Sequence, residues 1–205
     1  MSSSSLAANR ESPGAVMQLL RALFLAALAG FVTLTAVKAV IAAFVHEDFP
    51  ESLEIKAELL PLVFPAHMIA GGLALVLVPA ALALRRRRRW HRWAGRIAAA
   101  DVLVAGITAF PVAWVAPVTA WSAVGFIMQG AVWLVLLGAG IAFIRRRQVA
   151  RHRAAMLLML AATSGAVFFR VFLALFAILG NRHHFELFYA GDAWVAWLLP
   201  LSLTA

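Results

Sequence analysis

Histidine is the main candidate for chemistry, because the chain carries six histidines and no cysteine. That excludes disulfides, thiolate metal sites, iron–sulfur ligation and thiol nucleophiles. His91 and His152 each follow a run of arginines, in RRRRRWHRWAGR and RRRQVARHR. Placed at corresponding ends of two helices, two such imidazoles can face each other as axial ligands of a b-type haem. The other reading is interfacial, in which the histidines join Arg92, Arg96 and Arg153 in binding lipid headgroup phosphates.

A second set is found by depth. His67 lies 18 residues before Arg85, Gln129 16 before Arg145, Arg170 17 after Arg153, and Lys38 17 after Arg21. Each is therefore about 25 Å from the arginine boundary by helical rise. Four polar side chains in one layer predict an outer-facing cavity with Glu58 as counter-charge, suited to an anionic or carbonyl-bearing ligand such as a quinone or a lipid headgroup. The plain alternative has Lys38 snorkelling outward, Arg170 on a helix-end carbonyl and His67 as a hydrogen-bonded core histidine.

Asp101 lies ten residues beyond His91, about 15 Å into its helix. It is read as a proton relay toward the His67 layer, as a partner of Arg96, or as a carboxyl bonded to nearby hydroxyls and backbone. His67 is too far from His91 and His152 to share their haem; a second haem would pair it with Met128, His183 or His184. His183 and His184 beside Glu186 suit an adventitious ion or a solvated loop, and no metal site is assigned. No HExxH, nucleophile elbow, phosphate-binding glycine loop or paired acidic cluster occurs, so neither hydrolysis nor nucleotide-driven chemistry has support, and no reaction is assigned.

These residues must be held by helices in lipid. The chain has 205 residues, 64% hydrophobic and 13% charged, and no water-soluble domain of this size hides so much apolar surface. The apolar blocks run near twenty residues and do not alternate with polar ones, which fits helices and not a barrel. Six transmembrane segments are predicted: Met17–Val45, Leu59–Leu84, Trp93–Trp114, Val118–Ile144, Ala154–Leu179 and Asp192–Ala205. The sixth covers only about 21 Å at helical rise. Residues 1–16 read as a disordered polar N-terminus, and 17–205 as a single transmembrane domain whose first helix is retained and not cleaved.

The formal charge of +9 sits mainly in the two arginine loops, so it sets topology and gives no reason to expect nucleic acid. Both loops are expected in the cytoplasm, with the protein in a bacterial inner membrane. The opposite loops agree, since Glu47, Asp48, Glu51 and Glu54 cluster in one of them. Shifting the second and third helices by 61 positions lays Arg85, Arg86, His91 and Arg92 on Arg146, Arg147, His152 and Arg153. One reading is a repeat of two helical hairpins forming a four-helix core, with the first and sixth helices outside it. The other is that two cytoplasmic loops each attract arginine.

From Pro65 to Leu201 the chain resembles the bacterial predicted-membrane-protein family known as domain of unknown function 2306. The likeness rests on His67 with Gly71, on His91, Arg92, Gly95 and Arg96 as an HRxxGR turn, and on His152, Arg153 and Met156 as a second HR motif. Arg170 in FFRVF and the closing Trp194, Trp197 and Pro200 complete it. Departures are HRAAMLL where the family pattern is HRxWMxR, and Leu201 in the place of an asparagine. The resemblance implies a membrane bundle and carries no activity with it.

The expectation is thus an all-α polytopic membrane bundle of about six transmembrane helices. It is either a redox component linked to haem b or quinone, or a carrier or assembly module that binds lipid, a membrane-protein partner or a second copy of itself.

Overall fold

The computed structural model describes residues 13–46 and 49–205. Among them the elements are α1 (Pro13–Ala42), α2 (Glu51–Leu59), α3 (Val63–Ala83), α4 (Arg88–Trp114), α5 (Ala120–Arg145), α6 (Val149–Leu179) and α7 (Phe185–Thr204), with no strand. Five of these, α1, α3, α4, α5 and α6, are long and apolar enough to cross a membrane. The sixth, α7, has 20 residues and spans about 30 Å at helical rise. The protein is therefore an all-α membrane bundle of about six transmembrane helices.

Local chemistry explains where helices start. At α5, Thr119 accepts from the Ser122 backbone N–H at 3.0 Å while Ser122 Oγ accepts from the Thr119 N–H at 3.1 Å. This reciprocal box satisfies two otherwise orphaned donors and places the first turn after Thr119. Helix α7 begins at Phe185, seven residues before the predicted Asp192. The polar run from Asn181 reads as loop in sequence, but Glu186 in the first turn suits the helix dipole. Phe188 also stacks on Phe176 of α6 at 4.2 Å between ring centroids, which holds that turn in place. The predicted outer loop contains the short helix α2, while Glu47 and Asp48, and the residues before Pro13, lie outside the described residues.

Helices α3, α4, α5 and α6 form a ring in which each packs on its neighbours and α6 closes onto α3. Helix α1 lies against α3, and α7 lies in the groove between α5 and α6. Ala74, Val78, Val102, Leu137 and Met159 make the central cluster of the ring. Lipid is as apolar as that core, so close backbone approach must supply the packing. At Gly72 a Cβ would sit 2.8 Å from the Ala36 carbonyl oxygen, so only glycine lets α1 and α3 meet there.

The 61-residue shift is visible in the backbone. Helices α4 and α6 start 61 positions apart, at Arg88 and Val149. The preceding residues, Arg87 (φ −102, ψ 81) and Gln148 (φ −86, ψ 71), share one unusual conformation. The turns that open α4 and α6 therefore share one backbone form at the spacing of that shift.

Candidate functional site

At the arginine end of the ring the two hairpins carry equivalent histidines. His91 Nδ1–H donates to the Ala81 carbonyl at 2.8 Å, and His152 Nδ1–H donates to the Gly140 carbonyl at 2.9 Å. Each bond reaches back across an arginine loop to the preceding helix. A carbonyl accepts but cannot donate, so Nδ1 bears a proton in each ring. Helices α4 and α6 are diagonal in the ring, each flanked by α3 and α5. Arg92, Arg96 and Arg153 are exposed around this end, and the Arg96 guanidinium lies 5.7 Å from the Trp93 ring centre.

The second set is spread over several helix contacts and not along one wall. His67 Nδ1 bonds the Ala105 carbonyl at 3.1 Å and the Thr108 hydroxyl oxygen at 3.2 Å, which ties α3 to α4. Gln129 Nε2 donates to the Ala162 carbonyl at 3.1 Å and ties α5 to α6. Arg170 donates to the Ala166 carbonyl of its own helix at 2.8 Å. Lys38 is corrected: it is exposed on α1, whose buried face is Thr35, Ala36 and Ala39, so it stands away from the other three. Glu58 is likewise exposed on α2 and gives Arg170 no counter-charge. The grooves on the bundle include one of about 430 Å³ between α4 and α5, lined by apolar residues, and one of about 260 Å³ between α1 and α3, lined by apolar residues and Thr33; none of these four residues lines either.

Asp101 has one buried oxygen with no hydrogen-bond partner. Its pairing with Arg96 does not form, because the guanidinium turns toward Trp93. Met128, the repeat mate of His67, is 42% exposed and so is not its partner across the core. His183 and His184 are exposed beside Glu186, and no cluster of three metal-ligand side chains occurs among the described residues.

Three residues were passed over in the sequence. Asp192 is only 4% exposed, and neither carboxylate oxygen has a hydrogen-bond partner. Tyr189, one turn earlier, has its ring centre 5.3 Å from Phe169, 6.1 Å from Phe126 and 5.6 Å from Phe185. It lies within electrostatic reach of both Arg170 and Asp192. The i, i+3 spacing of Tyr189 and Asp192 was a usable signal, hidden once the helix was begun at Asp192. Lys56 is buried on α2 and donates to the Ala116 carbonyl, and burial lowers its pKa from the ordinary lysine range.

Among known proteins, the family model described as "Predicted membrane protein (DUF2306)" matches residues 64–205, which takes in α3 through α7 and omits α1 and α2. No curated protein and no solved structure matches the chain.

Proposed function

We propose, from the premise that the chain belongs to the predicted-membrane-protein family DUF2306, that it is an inner-membrane electron-transfer component holding a b-type haem between His91 and His152. The carrying observation is that each of these histidines donates its Nδ1–H to a carbonyl of the preceding helix, His91 to Ala81 and His152 to Gly140. Metal-bound histidines characteristically donate their other ring nitrogen to such a carbonyl, which fixes the tautomer, aims Nε2 and makes it more basic.

The residues present suit the group. His91 and His152, on the diagonal helices α4 and α6, would hold the group through Nε2. Arg92, Arg96 and Arg153 supply positive charge for propionate carboxylates. When bound, haem would supply a one-electron couple. His67, Gln129 and Arg170 belong in this proposal to a quinone-side region at the opposite end, with Asp101 as a proton relay between the two ends. Both arginine loops are assigned to the cytoplasm on the positive-inside bias.

A second reading is favoured by the exposed belt of Trp90, Trp93, Arg92, Arg96 and Arg153. Together with the apolar α4–α5 groove, that belt suits a non-enzymatic carrier or assembly module that binds anionic lipid, a membrane partner or a second copy. A visible spectrum of protein purified from haem-replete cells separates the two. The redox reading expects a Soret band that moves on reduction and is lost in His91→Ala and in His152→Ala. A colourless, folded protein sinks it and leaves the lipid-binding reading.

A further inference from the structure

Asp192 is an acid without a partner in the heart of a helix contact. It is the eighth residue of α7, about 10 Å from that helix's start by rise. Its backbone neighbourhood is tight: a Cβ on Gly125 of α5 would lie 2.9 Å from the adjoining Ala193 carbonyl oxygen. Both carboxylate oxygens are buried and accept nothing.

The groups around it are few. Helix α6 brings Arg170, already bonded to Ala166. Helix α5 brings only the neutral Ser122 and Gln129, bonded to Thr119 and Ala162. On α7 itself Tyr189 lies between Asp192 and Arg170 in electrostatic terms, and Glu186 is exposed in the first turn. The aromatic rings of Phe126, Phe169 and Phe185 wall the phenol. An ionised carboxylate here would have neither water nor a donor in return for its lost hydration. A metal cation does not answer the problem, since a hard cation wants about six oxygens or more and no group of three metal-ligand side chains occurs among the described residues.

We infer that Asp192, with Tyr189 one turn before it on the same helix, is a proton-binding site embedded in the α5–α6–α7 contact and exchanging with the membrane face opposite the arginine loops. The ligand is the proton itself: Asp192 holds it as a neutral carboxyl, and the phenol of Tyr189, one turn earlier on the same helix, is assigned as the relay group. The inference stands on the α7 geometry and is independent of the haem reading.

The test uses the full-length protein in lipid vesicles and the membrane-soluble reagent dicyclohexylcarbodiimide. A neutral carboxyl adds its O–H across the carbodiimide C=N and rearranges to a stable N-acylurea with no leaving group. Peptide mass spectrometry should find the adduct on Asp192, declining from acid to alkaline pH and absent in Asp192→Asn. Infrared spectra of the same vesicles should show a neutral carboxyl band that Asp192→Asn removes. No adduct on Asp192 at any pH, together with no such infrared band, overturns the proposal. Adduct formation that does not change with pH also overturns it, because a fixed proton does not exchange.

Discussion

The Lys56 ammonium donates to the Ala116 carbonyl oxygen at 2.6 Å, joining α2 to the turn between α4 and α5 across 60 residues of sequence. Ala116 sits at φ 40, a left-handed backbone that alanine rarely adopts. A second, longer bond from Lys56 to the Ser52 carbonyl at 3.4 Å anchors the side chain to its own helix. The outer turn is thus held in a strained form by a buried cation.

Lys56→Met should destabilise the protein by about 1 kcal/mol, since it strips the Ala116 carbonyl of its donor. The pH dependence has a definite sign. Burial holds Lys56 below its ordinary value of 10.5, so between the two values the unfolded chain binds more protons. Stability contributed by Lys56 therefore rises as pH climbs through its folded value toward 10.5, and it is lost as pH falls. Thermal unfolding of wild type and Lys56→Met at neutral and alkaline pH should show that increment only in the wild type.

Ala116→Gly should stabilise the turn by about 1 kcal/mol, because glycine adopts positive φ without steric cost. Thermal unfolding would read it directly; a lower melting temperature would show that the strain lies elsewhere.

Gly165→Ala should loosen α7. A Cβ there would lie 2.7 Å from the Trp197 Cβ and 2.8 Å from Gln129 Nε2, an overpacking that costs about 1 to 3 kcal/mol. Gly71→Ala is the control, with nothing within 4 Å of its Cβ. It should be neutral or slightly stabilising through helix propensity. Protease susceptibility of the α6–α7 connection should rise in the first variant alone.

Trp133 Nε1 donates to the Thr163 hydroxyl at 2.8 Å, and that hydroxyl donates to the Met159 carbonyl at 2.7 Å. Thr163→Val keeps the shape and removes the acceptor. Interhelical bonds of this kind in membranes contribute about 0.6 kcal/mol and at most about 1.7. Unfolding of the variant in mild detergent with increasing denaturing detergent should shift by that modest amount, and a larger loss would point to misplacement of α6.

Reporter fusions test the orientation. Fusions within Arg85–Arg92 and Arg145–Arg153 should be active only with a cytoplasmic reporter, because twelve arginines lie from Arg85 to Arg153. Activity of a periplasmic reporter at either loop would reverse the topology.

The apolar blocks, the absence of alternation and the two arginine runs were sufficient to determine helices and their approximate number. A bilayer has a fixed thickness, so hydrophobic length and charge placement write depth along the membrane normal directly into the chain. Depth is why the His67, Gln129 and Arg170 count could be made at all. Rotation about each helix axis is a different quantity. Helices α3 and α5 are apolar all round, and lipid and core are equally apolar, so no polar face announces which side turns inward. Only tertiary contacts decided that Lys38 faces away, that His67 ties α3 to α4, and that Met128 is exposed. They also moved the start of α7 back to Phe185, because stacking of Phe188 on Phe176 outweighs the polar look of the segment. That shift put Tyr189 and Asp192 on one helix face: their i, i+3 spacing is local, but that the segment is helical at all was decided by packing between chain segments.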